Sequence, residues 1–131
     1  MKIDAATKKT ELATKFTVGN YPDAVDTHDG EATANAIHRR FRERYLDPAS
    51  DPKKRHGFTM MAVACLMIEA LESFRRGWVD TSGRGQGEHA FCSFFDAHVE
   101  FAPFRGHARE FYKGVRCGIL HQAGTTLGWR I

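Results

Sequence analysis

The stretch FTMMAVACLMIEALESFRR, residues 58–76, contains the longest apolar run of the chain and determines the expected fold. Its apolar residues cover most of the circumference of a helix, which is typical of a central, buried helix running from near Phe58 to about Arg76. Its only acids are Glu69 and Glu72. A carboxylate among packed helices needs a cationic or hydrogen-bonding partner, so we expect one for at least one of these two.

Three further helices are predicted, one before this segment and two after it. Upstream, apolar residues recur at intervals of three and four from Gly30 onward, and the prolines of DPASDP, residues 47–52, should end that helix. Downstream, the periodicity predicts one helix over Glu88–Phe101, closed by Pro103, and another over about Gly106–Gln122.

The expected fold class is therefore all-α, an antiparallel helical bundle of about four helices spanning residues 30–131. Residues 1–29 form a short N-terminal arm with a candidate strand around residues 16–18. AGTTLGWRI, residues 123–131, is expected to be a short strand or a C-terminal tail that docks on the bundle. The Gly-rich stretch DTSGRGQGE, residues 80–88, lacks the Gly-Lys-Ser/Thr ending of a phosphate loop and is predicted to be a connector.

Composition favours a globular protein of one domain. The 131 residues are 42% hydrophobic and 27% charged, and Lys plus Arg exceed Asp plus Glu by 19 to 16. This mild positive charge is compatible with a polyanionic partner but does not require one. The three cysteines lie in apolar or helical contexts, so we expect free thiols in a reducing cytoplasm. The sequence shows no signal-peptide pattern, and its longest apolar run, residues 60–68, is too short to span a bilayer. We therefore predict a cytoplasmic protein without membrane association.

The candidate site lies in FYKGVRCGILHQ, residues 111–122, where Arg116 precedes His121 by five positions. Residues five apart on a helix are separated by about 140° around its axis, and a long arginine side chain can reach across that angle. An Arg, four intervening residues and a His on the last long helix of a small all-α bundle resemble the motif of the HEPN superfamily.

This resemblance implies a metal-independent endoribonuclease that acts as a homodimer on RNA, without a cofactor, in a toxin-antitoxin or phage-defence setting. An antitoxin or other regulatory protein would be a further partner. RNA supplies its own nucleophile, the 2′-hydroxyl. His121 would move protons near neutral pH, and Arg116 would bind the charged phosphorane. Glu69 or Glu72 would orient Arg116, and Tyr112, one turn earlier, would line the same cleft.

Several alternatives remain open. Cys117 follows Arg116 where ribonucleases of this superfamily usually have a polar residue, which suits a non-catalytic dimeric module that binds RNA or a protein. Such a module would use the arginines of the first helix and the basic loop formed by residues 53–55. Arg116 could instead form a salt bridge to Glu69 or Glu72, and His121 could cap its helix. A zinc site is the last alternative, and its candidate ligands are His89, Cys92, Cys117 and His121.

Overall fold

The computed structural model describes residues 4–51, 53 and 56–131, and most of these are helical. The all-α prediction is confirmed. The chain divides into two compact units, an N-terminal unit of residues 1–52 and a C-terminal unit of residues 53–131. The boundary lies at Pro52–Lys53, in the proline-containing segment, whereas the sequence pattern changes at Gly30.

The N-terminal unit begins with four short elements. They are α1 (Ala5–Lys8), β1 (Glu11–Ala13), β2 (Phe16–Thr17) and α2 (Tyr21–Asp26). The Asp4 side chain accepts hydrogen bonds from the first backbone N–H groups of α1 and so caps that helix. β1 and β2 pair antiparallel, with Glu11 opposite Thr17, and form the only sheet among the described residues. The strand predicted around residues 16–18 corresponds to β2.

The first long helix is continuous through three segments and ends in the predicted proline-containing stretch. α3 (Gly30–Phe41) passes through a π turn (Arg42–Leu46) into α4 (Asp47–Ala49). The helix therefore ends inside DPASDP, at Ala49, and the prediction that this segment ends it holds, although Pro48 itself lies within α4. Pro48 lies in the first turn of α4, where a missing backbone N–H is tolerated.

The C-terminal unit contains two long helices and a third that is interrupted. These are α5 (Gly57–Arg76), α6 (Gln86–Ala97), a 3₁₀ segment (Val99–His107) and the terminal helix, residues 108–122. The terminal helix consists of α7 (Ala108–Phe111), a π turn (Tyr112–Cys117) and α8 (Gly118–Gln122). The bounds of α5 and of the terminal helix agree with the predicted ones to within two residues.

The end of α6 differs from the prediction. Its last helical residue is Ala97, and His98 is extended with φ −114° and ψ 120°, so Pro103 lies inside the 3₁₀ segment and does not close α6. The extended residue lets the chain fold back, because the Phe101 ring then stacks on Phe95 with 5.3 Å between ring centroids. Aromatic packing therefore replaces the predicted final turn of helix.

The prediction that α5 is a central, buried helix is wrong. Its buried residues are confined to one face and are Cys65, Ile68, Glu69, Glu72 and Ser73. Phe58, Met60 and Phe74 are exposed. Among the described residues of this unit, α5 packs mainly against α6 and also contacts α8 of the terminal helix. α5 is long and apolar enough to cross a membrane, but core helices of soluble proteins meet the same criterion. Of the 18-residue stretch of α5 that meets it, 22% is buried within the protein.

An aromatic core and the C-terminal tail hold the unit together. Phe91, Phe95 and Val115 are almost fully buried in the core. Residues 123–131 form no strand but return to the terminal helix, where the Trp129 ring meets Phe111 edge to face at 5.5 Å. The docking-tail alternative for this segment is therefore the observed one.

Candidate functional site

Arg116 forms an ion pair with Glu69 that joins the terminal helix to α5. Its Nε donates to Glu69 Oε1 at 2.5 Å and its Nη2 donates to Oε2 at 3.3 Å. The side chains are 20% and 12% exposed, so the pair is partly shielded from solvent but still reached by it. Nη1 forms no hydrogen bond to Glu69.

The pKa of Arg116 is consistent with a permanent positive charge. Burial by itself would lower this pKa, but the hydrogen bond and the charge of Glu69 outweigh burial and raise it. The predicted salt bridge therefore exists, with Glu69 as the partner. It also gives the guanidinium a fixed orientation, as a group that positions an anionic ligand needs.

Thr81 completes the set of groups around Glu69. Its hydroxyl donates to Glu69 Oε2 at 2.6 Å and so fastens the Gly-rich connector to α5. Sequence reasoning missed Thr81, because a single hydroxyl in a loop carries no periodic signal. Gly85, with φ 75°, then begins α6 in a left-handed conformation that favours glycine.

Tyr112 lies beside Arg116, as predicted from their spacing of one turn. The guanidinium carbon is 5.3 Å from the centre of the Tyr112 ring, within the range of a cation–π contact. The ring also meets Phe91 edge to face at 5.4 Å, which anchors it on the core. Burial raises the pKa of Tyr112, and the positive charge of Arg116 partly offsets that effect, so the phenol is protonated at neutral pH.

Both Tyr112 and Arg116 belong to the π turn of the terminal helix. π turns inside α-helices frequently occur at functional sites. Within this turn, the carbonyl of Gly114 accepts the backbone N–H of Thr126 from the tail at 2.7 Å. The N–H of Gly118 donates instead to the carbonyl of Val115, three residues earlier, which is the tighter bond of a 3₁₀ turn.

His121 is exposed in the last turn of α8. Within the described ranges, no residue forms a hydrogen bond or ion pair with it. The predicted capping role is also not seen, because backbone N–H groups of Ala123 and Gly124 donate to the carbonyls of Ile119 and Gly118. The chain thus places Arg116 and His121 on one helix but does not join them by a direct contact.

Glu72 has other partners than Arg116. Its carboxylate accepts hydrogen bonds from Arg75 at 2.6 and 2.8 Å and from Arg76 at 2.6 Å, and its side chain is 0% exposed. Of the two predicted orienting acids, the structure therefore places only Glu69 against Arg116.

The alternative zinc site has no geometric support among the described residues, where no three potential ligands converge. His89 lies against the Trp78 ring at 5.7 Å, and Cys92 and Cys117 are free thiols. The third thiol, Cys65, is fully buried, and burial raises its pKa to about 12, so it is not a nucleophile.

The arginines of α3 and its π turn, proposed as an RNA-binding surface, all have partners inside the N-terminal unit. Arg39, Arg40 and Arg44 donate to the backbone carbonyls of Thr14, Leu12 and Glu11, and Arg42 pairs with Asp47. Three of them thereby satisfy carbonyls along β1 and its turn. Of the proposed basic loop, Lys54 and Arg55 lie outside the described residues.

No protein-family model, no curated protein and no solved structure matches this chain.

Proposed function

We propose that this protein is a HEPN-like, metal-independent endoribonuclease that acts as a homodimer. The observation that carries the proposal is the oriented guanidinium of Arg116, which Glu69 holds partly exposed on the same helix as the exposed His121. A fixed cation and a free imidazole are the two groups that cleavage by the RNA 2′-hydroxyl needs.

The proposed chemistry divides the work between these groups. Arg116 binds a non-bridging phosphate oxygen through Nη1, which Glu69 leaves unbonded, and so stabilises the charge of the phosphorane. His121 exchanges protons with the 2′-hydroxyl or the leaving oxygen, as a positioned imidazole can do. The expected products are a 2′,3′-cyclic phosphate and a 5′-hydroxyl.

The homodimer follows from the need for both an acid and a base. One chain supplies a single His121, and no residue described in its own chain orients that imidazole. Pairing of two terminal helices about a two-fold axis would bring two histidines and two arginines to one cleft. We propose a cytoplasmic setting of toxin-antitoxin or phage-defence type, with an antitoxin or regulatory protein as the controlling partner.

The decisive experiment compares two exposed histidines of the C-terminal unit. Purified protein in EDTA should cut single-stranded RNA and leave cyclic-phosphate ends; His121→Ala should abolish cutting, and His107→Ala should retain it. Both variants should keep the wild-type unfolding midpoint, because exposed substitutions change stability by at most about 0.5 kcal/mol. Cutting by His121→Ala at the wild-type rate would exclude His121 from the mechanism.

A second candidate is a non-catalytic dimeric module that binds RNA or a protein. Two features favour it: Glu69 already neutralises Arg116, and the thiol of Cys117 follows this arginine where a polar residue is expected. This module would retain RNA without cutting it, with an affinity that falls as salt rises. Intact RNA recovered from a salt-sensitive complex would select this candidate over the ribonuclease.

A further inference from the structure

An apolar cleft of about 380 Å³ opens in the C-terminal unit beside the exposed side of α5. Ala64, Met67 and Leu71 form one wall, and phenylalanines of α6, the 3₁₀ segment and the terminal helix form the other. Every side chain that lines the cleft is apolar. The volume falls within the range of about 300–1,000 Å³ that small-molecule sites occupy.

The aromatic wall of the cleft is built before any ligand arrives. The rings of Phe95 and Phe101 are nearly parallel, at 7° and 5.3 Å, and Phe104 packs against Phe95 at 6.2 Å. Such ring packing fixes the side-chain rotamers, so a ligand would not bear the entropic cost of ordering them.

One cation is fixed against this wall. Nε of Arg105 donates to the backbone carbonyl of Phe95 at 3.0 Å, and Arg105 directly follows Phe104, which lines the cleft. Within the part of the chain that the structure describes, no carboxylate pairs with Arg105. Arg105 does not itself line the cleft, but its Nε is held at the backbone of Phe95, which does, and its terminal nitrogens form no hydrogen bond among the described residues.

We propose that the cleft binds a monomeric alkyl carboxylate of the fatty-acid class, with the tail against Met67 and Phe95 and the carboxylate on Arg105. A finite cleft with a single cation suits one amphiphile. A bilayer surface is instead recognised by a cluster of basic residues. This inference goes beyond the proposed ribonuclease activity and does not depend on it.

A chain-length series tests the apolar part of the proposal. Titration of the full-length protein by calorimetry with saturated carboxylates from hexanoate upward, each kept monomeric, should give saturable binding. Each added methylene should tighten the Kd about fourfold until the tail fills the cleft, after which the Kd should level off. A protein that binds none of these carboxylates would refute the proposal.

Matched variants locate the site. Ala64 is exposed at the cleft, so Ala64→Phe can fill the volume without displacing the core and should weaken the tightest carboxylate at least tenfold. Ala97→Phe makes the same change at an exposed position outside the lining and should leave the Kd unchanged. Equal affinity in the two variants would place the ligand elsewhere.

The anionic part is tested at Arg105. Arg105→Gln should weaken the carboxylate about fivefold and leave the alkanol of equal length unchanged. If Arg105→Gln weakened the binding of neither ligand, or weakened both equally, the carboxylate would be removed from the proposal. Two other results would also overturn it: binding to anionic lipid vesicles without binding of monomeric carboxylate, or a dimer in sedimentation that Ala64→Phe dissociates without any carboxylate binding.

Discussion

Glu69 and Glu72 are both buried on α5, yet they stabilise different parts of the molecule. Glu69 accepts hydrogen bonds from Arg116 on the terminal helix and so links two helices. Glu72 accepts hydrogen bonds from Arg75 and Arg76 on its own helix. At the residue scale, the first carboxylate therefore contributes to tertiary packing and to the candidate site, whereas the second stabilises the end of one helix.

Glu72 should make the stability of the protein depend on pH. Burial by itself would raise its pKa, but the hydrogen bonds from Arg75 and Arg76 outweigh burial and hold the pKa below its ordinary value of 4.5. A pKa depressed by folding stabilises the protein above the unfolded-state pKa, and this contribution is lost as the pH falls through the folded-state pKa. We expect Glu72→Gln to lower the free energy of unfolding by about 1–3 kcal/mol at pH 7.

The measurement is urea unfolding of wild type and Glu72→Gln across the acidic range. The difference between the two should be constant near neutrality and should narrow as the pH falls below 4.5. A difference that stays the same at every pH would show that the carboxylate's charge plays no part.

The ion pair between Arg116 and Glu69 should be worth more than an exposed pair. A double-mutant cycle of Arg116→Gln and Glu69→Gln should give a coupling energy of about 1–3 kcal/mol in unfolding, because both side chains are largely shielded from water. The control is Arg42 with Asp47, whose side chains are 57% and 54% exposed. That pair should give about 0.2–1 kcal/mol, and an equal coupling in both cycles would contradict the expectation.

At the scale of elements, the terminal helix combines what its own sequence predicts with what the tail imposes. Apolar periodicity predicted a helix over about 106–122, and the helix spans residues 108–122. The contact between this helix and the tail could not be predicted, because the N–H that donates to the Gly114 carbonyl comes from Thr126 in the tail. A local pattern carries no information about a donor that folding brings from another segment.

Close approach of the tail depends on Gly118. A Cβ at this position would lie 2.5 Å from the carbonyl oxygen of Gly124 and 3.3 Å from Cα of Thr125, both backbone atoms that cannot rotate away. We therefore expect Gly118→Ala to lower the free energy of unfolding by about 1–3 kcal/mol. The control is Gly106→Ala, since nothing lies within 4 Å of a Cβ there. Thermal unfolding compares the two, and equal midpoints would mean that the tail does not pack as described.

At the scale of the whole molecule, the sequence predicted the helices better than their surroundings. The bounds of α5 follow from local periodicity, which is why they were recovered almost to the residue. Whether an apolar face is covered depends on which helices pack on it, and so the exposure of Phe58 and Phe74 was not foreseen.

In the candidate site, too, local chemistry could be predicted from the sequence and three-dimensional arrangement could not. The rule that a buried carboxylate needs a cation anticipated the Arg116–Glu69 pair, although not which acid would form it. Thr81 and the isolation of His121 from Arg116 could not be anticipated, because both depend on three-dimensional arrangement.

The two units should differ in local stability. Among the side chains that the structure describes, the buried apolar ones of the N-terminal unit are alanines apart from Phe41, whereas the C-terminal unit buries Phe91 and Phe95 completely or almost so. A buried phenylalanine contributes about 1.5–3 kcal/mol, far more than an alanine. Native-state hydrogen exchange should therefore show the slowest amides in α6, with those of α3 opening at a free energy at least about 2 kcal/mol lower. Equal protection in both helices would indicate that the units unfold as one cooperative body.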